Sequence, residues 1–214
     1  MQEKIYQYEN RLIKELEKYY PEVVSRLNYP GDAESIKKIE EEIGEELPES
    51  FKKLYQEFDG EDKNLYVGVI LGFSLLSAAT MLEEIHLLKE NSADIIMESM
   101  SGEAISEEEI GKRIIIPFAF DASHCYIALD LTPGQKGKKG QVITLDFDYD
   151  SSFLLADSLE DFYDFIIKMM EEKKCQVEIG EEDEEYFEFE SGHFFNNLEE
   201  LLADTNKKEE EEIL

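Results

Sequence analysis

Residues 113–150 read RIIIPFAFDASHCYIALDLTPGQKGKKGQVITLDFDYD, and their repeat of two decides the fold. RIIIPFAF (113–120) is a nearly continuous apolar strand in which Pro117, having no amide for a ladder, predicts an edge or a bulge. In YIALDL (126–131), Ile127, Leu129 and Leu131 share one face. QVITLDFDYD (141–150) alternates cleanly, with Ile143, Leu145, Phe147 and Tyr149 on one side and Asp146, Asp148 and Asp150 on the other. TPGQKGKKG (132–140) lies between them as turn formers and lysines, so the two strands predict an antiparallel hairpin whose mobile loop is a small basic island.

On either side of this sheet the period becomes helical. Upstream, Ile36, Ile39 and Ile43 form the apolar stripe of a short helix starting near Asp32 and closing at Gly44. Pro48 suits the first turn of a second helix, whose buried stripe is Phe51, Leu54, Tyr55 and Phe58 and which stops at Asp59-Gly60. LYVGVILGFSLLS (65–77) predicts one or two buried strands, and Ser77 caps a helix to about residue 90 with Met81, Leu82, Ile85 and Leu88 inward. Ser92 is placed to cap another short helix around Ile95, Ile96 and Met100. A leading helix over 3–27 is interrupted by Pro21, and Asn28-Tyr-Pro-Gly31 is a turn.

Downstream, Ser158 followed three residues later by Asp161 resembles a capping box before the stripe Leu159, Phe162, Ile166, Met169 and Met170. The strongly acidic stretch 176–214 alternates around Phe187 and Phe189, as an added edge strand would. It could end in a short helix on Phe194, Phe195, Leu198, Leu201 and Leu202. Helices, then strands, then a helix predict an α+β fold: a mostly antiparallel twisted sheet with helices packed on one side. The expected organisation is a leading helix (1–28), an α+β domain (29–172) and an acidic C-terminal extension (173–214).

Fifty-two acidic residues against 21 basic ones give a formal net charge of -31 over 214 residues. Such a field repels nucleic-acid phosphates and anionic membranes and speeds encounter with basic partners. No window approaches the ~18 uninterrupted apolar residues of a membrane helix, and the N-terminus is charged from its third residue, so the cytoplasm is expected. Cys125 and Cys175 have no CxxC or Cys/His spacing and are expected as buried small hydrophobes, with no metal or cofactor.

The block PGDAESIKKIEEEIGEELPESFKKLYQEFDGE, then ILGFSLLS, then the 113–150 hairpin, then LADSLEDFYDFI, resembles the SUKH superfamily over roughly residues 29–172. Gly44, Leu47, Pro48, Gly60, Leu71, Gly72, Pro117 and Asp130 carry the resemblance in the family's order, as structural positions. The family's glycine-containing turn is Asp121-Ala-Ser-His124 here, and tryptophan is absent. The resemblance implies a non-catalytic immunity protein that neutralises a cognate toxin, and the acidity suits a basic, nuclease-type one. The alternative it implies is a regulatory protein-interaction scaffold related to cell-wall synthesis control.

Asp146, Asp148 and Asp150, with Glu188 and Glu190, are the candidate partner-binding residues. Three carboxylates on one strand face could also bind a hard cation or act as acid and base in a hydrolase. No calcium-loop pattern accompanies them, and neighbours such as Ser123, His124 and Cys125 are expected to point apart, which disfavours a nucleophile activated by its adjacent base.

Overall fold

A computed structural model describes residues 10–29, 33–61, 68–70, 72–179, 185–189 and 194. Its main sheet runs in the order β1 (Ser74–Leu75), β3 (Ile115–Phe120), β4 (Cys125–Asp130), β5 (Gln141–Asp146), β6 (Ser151–Ser152), β2 (Glu98–Ser99), and β7 (Leu154–Ala156) also pairs with β5. All pairs are antiparallel except β2 with β6. The predicted hairpin is β4 on β5, with Asp130 opposite Gln141 and Cys125 opposite Asp146. Pro117 sits at a register shift between β3 and β4, the expected bulge.

The apolar stripes read from the sequence become α1 (Arg11–Tyr19), α2 (Pro21–Val24), α3 (Ala33–Ile43), α4 (Glu49–Glu57), α5 (Ala78–Asn91) and α6 (Leu159–Glu171). Gly44, at φ +71°, closes α3 in the left-handed region, and Pro48 stands one residue before α4 as its N-cap. Ser77 accepts the Thr80 amide, and Ser158 accepts the amide of Asp161 while donating to its carboxylate. The Asp59-Gly60 stop does more than end α4. The Asp59 carboxylate accepts the Ala78 amide at 2.8 Å, and a Cβ on Gly60 would lie 2.4 Å from the Ser77 nitrogen. The two helix ends therefore meet with no room for a side chain.

Period-two patterning divides the sheet into two faces. Ile116, Phe118, Ile127, Leu129 and Val142 join the main core beneath the helices, where the Phe118 ring stands edge-on to Phe51 (5.7 Å) and Phe162 (6.2 Å). Ile115, Ala128, Ile143 and Leu145 face the other way and are covered by Leu88 and by Met97, Ile105 and Ile110 of the irregular 92–112 connection. The fold is thus α+β, with a mostly antiparallel sheet and helices on one side.

Four local expectations are corrected. Ser92 caps the C-terminal end of α5 and starts no helix; residues 95–99 run extended into β2, because the carbonyls of Ala93 and Ile95 accept the amides of Gly111 and Ile110. The Lys-rich loop is docked, not mobile: Gly134 and Lys136 amides bond the carbonyls of Ala104 and Glu103. Its lysines are paired, Lys136 with Glu103, Lys138 with Asp157 and Lys139 with Glu45, so the basic island is neutralised from within. Finally, β8 (Cys175–Ile179) and β9 (Glu185–Phe189) form a hairpin of their own instead of an added edge on the main sheet. Cys175, Phe187, Phe189 and Phe194 still join the main core, and both cysteines are buried thiols as expected. The expected helix start at Asp32, the Gly31 end of the turn, Leu71, Glu190 and the helix after Phe194 lie outside the described residues.

Candidate functional site

The three candidate aspartates do not step along one strand face. β5 ends at Asp146, and residues 147–150 form a turn into β6. The cause is local: the buried Asp146 carboxylate accepts the amides of Asp148 (2.9 Å) and Tyr149 (3.3 Å), so the chain reverses where alternation predicted extension. Asp148 points outward and pairs with His124 Nε2 at 2.9 Å, Asp150 takes φ +47°, and Tyr149 leaves the apolar face for solvent. Glu188 lies on β9, in the separate hairpin, opposite Gln176.

A second turn faces this one. Asp121 Oδ1 accepts the amides of Ser123, His124 and Cys125 at 2.9–3.1 Å, with Ala122 at φ +63°. This tight geometry overturns the expectation that Ser123 and His124 point apart, since Ser123 Oγ meets His124 Nδ1 at 2.7 Å. The result is a Ser123–His124–Asp148 string on the surface. The amides of Ser123, His124 and Cys125 already serve Asp121, so they are not available to an oxyanion beside Ser123. Ligand atoms of Asp121, His124 and Cys125 also lie within 4.8 Å of one another. Asp121 is already committed to three backbone amides and His124 to Ser123 and Asp148, so the trio serves the turn. Burial, reinforced by Asp121 and Asp146, pushes the Cys125 thiol well above its ordinary range.

Four of the family-pattern residues, Gly44, Leu47, Pro48 and Asp130, gather at another corner. Asp130, fully buried, accepts Arg113 Nη2 and Gln141 Nε2 at 3.0 Å each, and its second oxygen accepts the Thr132 amide. Burial raises the Asp130 pKa against the pull of the Arg113 guanidinium beside it. Gly140 donates its amide to the Asp130 carbonyl, and a Cβ there would come within 3.0 Å of Pro48 Cγ. Leu47, buried, donates its amide to Glu40, and Lys139 reaches Glu45, so the Gly44–Pro48 corner packs onto the β4–β5 loop. Gly72 bridges Gly68 in the tight reversal before β1.

Arg113, Gln141 and Asp121 were missed from the sequence. An arginine opening an apolar strand, and an Asp followed by small and polar residues, are the signals that point to them. A cleft of about 740 Å³ between α1, α4 and α6 holds Asn10, Glu57 and Tyr163. These three are bonded to one another, Asn10 donating to Glu57 from its amide and to the Tyr163 hydroxyl from its side chain, and they serve helix packing.

Fold and site together define an α+β domain of the SUKH class, with Asp121, Asp130 and Asp146 committed to holding its own turns. The chain belongs to the SMI1 / KNR4 family (SUKH-1), whose family model matches residues 30–164. It is 23% identical to a KNR4/SMI1 homolog of Yarrowia lipolytica, over 86% of this chain and 33% of that protein. The cell wall biosynthesis/cell cycle regulator smi1 of Schizosaccharomyces pombe is 25% identical over 78% of this chain and 36% of its own length. A glucan synthesis regulatory protein of Neurospora crassa is 22% identical over 68% and 34%. The chain spans about a third of the length of the curated relatives it matches. The superfamily resemblance is borne out, and these names fit the regulatory alternative better than toxin neutralisation. Among the described residues, no helix is long and apolar enough to cross a membrane.

Proposed function

We propose that this chain is a regulatory protein-interaction module of the cell-wall synthesis control type, acting in the cytoplasm by binding and without turnover. The observation that carries the reading is the family match, joined to relatives whose names describe wall and glucan synthesis regulators. The committed side chains support it: Asp121, Asp130 and Asp146 each serve the chain's own backbone or a buried partner. The test is segment replacement. The matching segment of the Schizosaccharomyces pombe relative is exchanged for this chain, and growth is scored under wall-damaging dye. Restored growth is expected; a replacement protein that accumulates normally yet behaves as a deletion sinks the reading.

The net charge of -31 favours a second reading, neutralisation of a basic toxin, because an anionic protein can occupy a nucleic-acid-binding surface. Co-expression with a basic nuclease-type toxin domain encoded beside this chain, scored as survival, decides it.

A further inference from the structure

The main sheet ends at β2, and along this edge three large apolar side chains face water: Ile96 (52% exposed), Met100 (47%) and Tyr149 (80%). Backbone bonds bring their segments to one edge. Residues 96–100 alternate, with Met97 buried in the second core and Ile96, Glu98 and Met100 turned outward. The Glu98 amide bonds the carbonyl of Asp150, the residue after Tyr149, and the Met100 amide bonds Ser152. The support is rigid. Asp146 fixes the turn beneath Tyr149, Ser152 donates to the Thr144 carbonyl, and Leu154 donates its amide to Ser101.

Carboxylates rim the patch: Glu98 between Ile96 and Met100, Asp148 and Asp150 on either side of Tyr149, and Glu107 bonded to the Ser99 amide. No lysine or arginine occurs between Lys89 and Lys112 or between Lys139 and Lys168, the two stretches that build this edge. Glu107 takes the outward amide of β2, so addition of a further strand is blocked and side chains do the recognising. A second copy of a chain with net charge -31 would be repelled here.

We infer that the Ile96–Met100–Tyr149 edge is a docking surface for a basic segment of another protein, which lays apolar side chains against the three and its lysines or arginines on the rim. A tyrosine held on a fixed turn loses little freedom on binding, and a methionine adapts to the side chain it meets. The inference rests on the protein-interaction reading and names the chemistry of the partner.

The probe is a synthetic fifteen-residue peptide alternating lysine-rich turns with leucine, titrated into the full chain while backbone amide signals are followed by NMR. Shifts confined to residues 96–100 and 147–152 are expected. Tyr149→Ala should weaken the peptide about tenfold, raised salt should weaken it further, and a leucine-to-alanine peptide should bind more weakly. Leu87→Ser, at an exposed apolar residue on α5, should change nothing. Shifts spread over the acidic surface, or equal binding by wild type and Tyr149→Ala, overturn the inference, as does concentration-dependent dimerisation through this edge. The segment-replacement strain separates the two readings: rescue that survives Tyr149→Ala removes this surface and leaves the regulatory role. Failure of the wild-type chain to rescue removes the role, while the titration still decides the surface.

Discussion

Asp130 and Asp146 stand at opposite ends of the paired β4–β5 hairpin and meet opposite fates. Asp130 is sealed inside with a guanidinium, a side-chain amide and a backbone amide. Asp146 is nearly as buried but answers only to backbone amides of its own turn, whose neighbours Asp148 and Asp150 lie toward solvent. One residue type thus makes a polar knot at one end and a presenting turn at the other. What distinguishes them is the supply of donors, since a buried charge persists only where it is paired and bonded.

The largest effect should come from breaking the knot. Asp130→Ala leaves the Arg113 guanidinium buried with no counter-charge and should cost about 3–5 kcal/mol in urea unfolding. The paired change Arg113→Met with Asp130→Leu should recover most of that loss; if it does not, the knot contributes more than the pairing of its charges.

A third buried acid sharpens the contrast, because among the described residues no guanidinium is hydrogen-bonded to Glu61. Its carboxylate accepts the Val69 amide, with Arg26 and Ser74 facing it, yet burial pushes its pKa up to about 8 from an ordinary 4.5. The folded chain therefore holds a proton that the unfolded chain releases. Stability from this group is fully present below about pH 4.5 and is lost as pH rises through about 8. Unfolding free energies compared at pH 5 and pH 8 should fall for the wild type, and Glu61→Gln should flatten that fall by about a few kcal/mol.

Smaller effects belong at the other end. Asp146→Ala removes the acceptor for two amides and should lower stability by about 1–2 kcal/mol, read as a lower thermal midpoint with weaker binding of the lysine–leucine peptide. Asp148→Asn touches only an exposed pair with His124 and should leave stability within about 0.5 kcal/mol of wild type, while the peptide affinity falls. An Asp148→Asn variant that unfolds early would mean that the turn depends on the surface pair.

The same contrast explains what was legible in the sequence. Helices announced themselves because the stripes at Ile36–Ile39–Ile43 and Leu159–Phe162–Ile166 and the caps at Ser77 and Ser158 are local signals. The β4–β5 ladder was legible from period two and the turn formers between its strands. The end of β5 was not. Phe147 and Tyr149 continue the alternation past Asp146, and only the side-chain bonds of Asp146 reveal a reversal. The β8–β9 pairing and the covering of the second sheet face by residues 92–112 depend on contacts between distant segments, which alternation within one segment does not specify. Of the candidate site, the acidic character was visible. The apolar trio within it was hidden, because Ile96 and Met100 read as helix residues and Tyr149 as a core residue.

The knot at Asp130 also constrains how this chain can change over generations. Its three side-chain members are scattered along the sequence, at 113, 130 and 141, yet replacing Arg113 or Asp130 alone strands the other charge in the interior. Descendants are expected to keep Arg113 and Asp130 or to exchange them together, so the two positions should covary across the family.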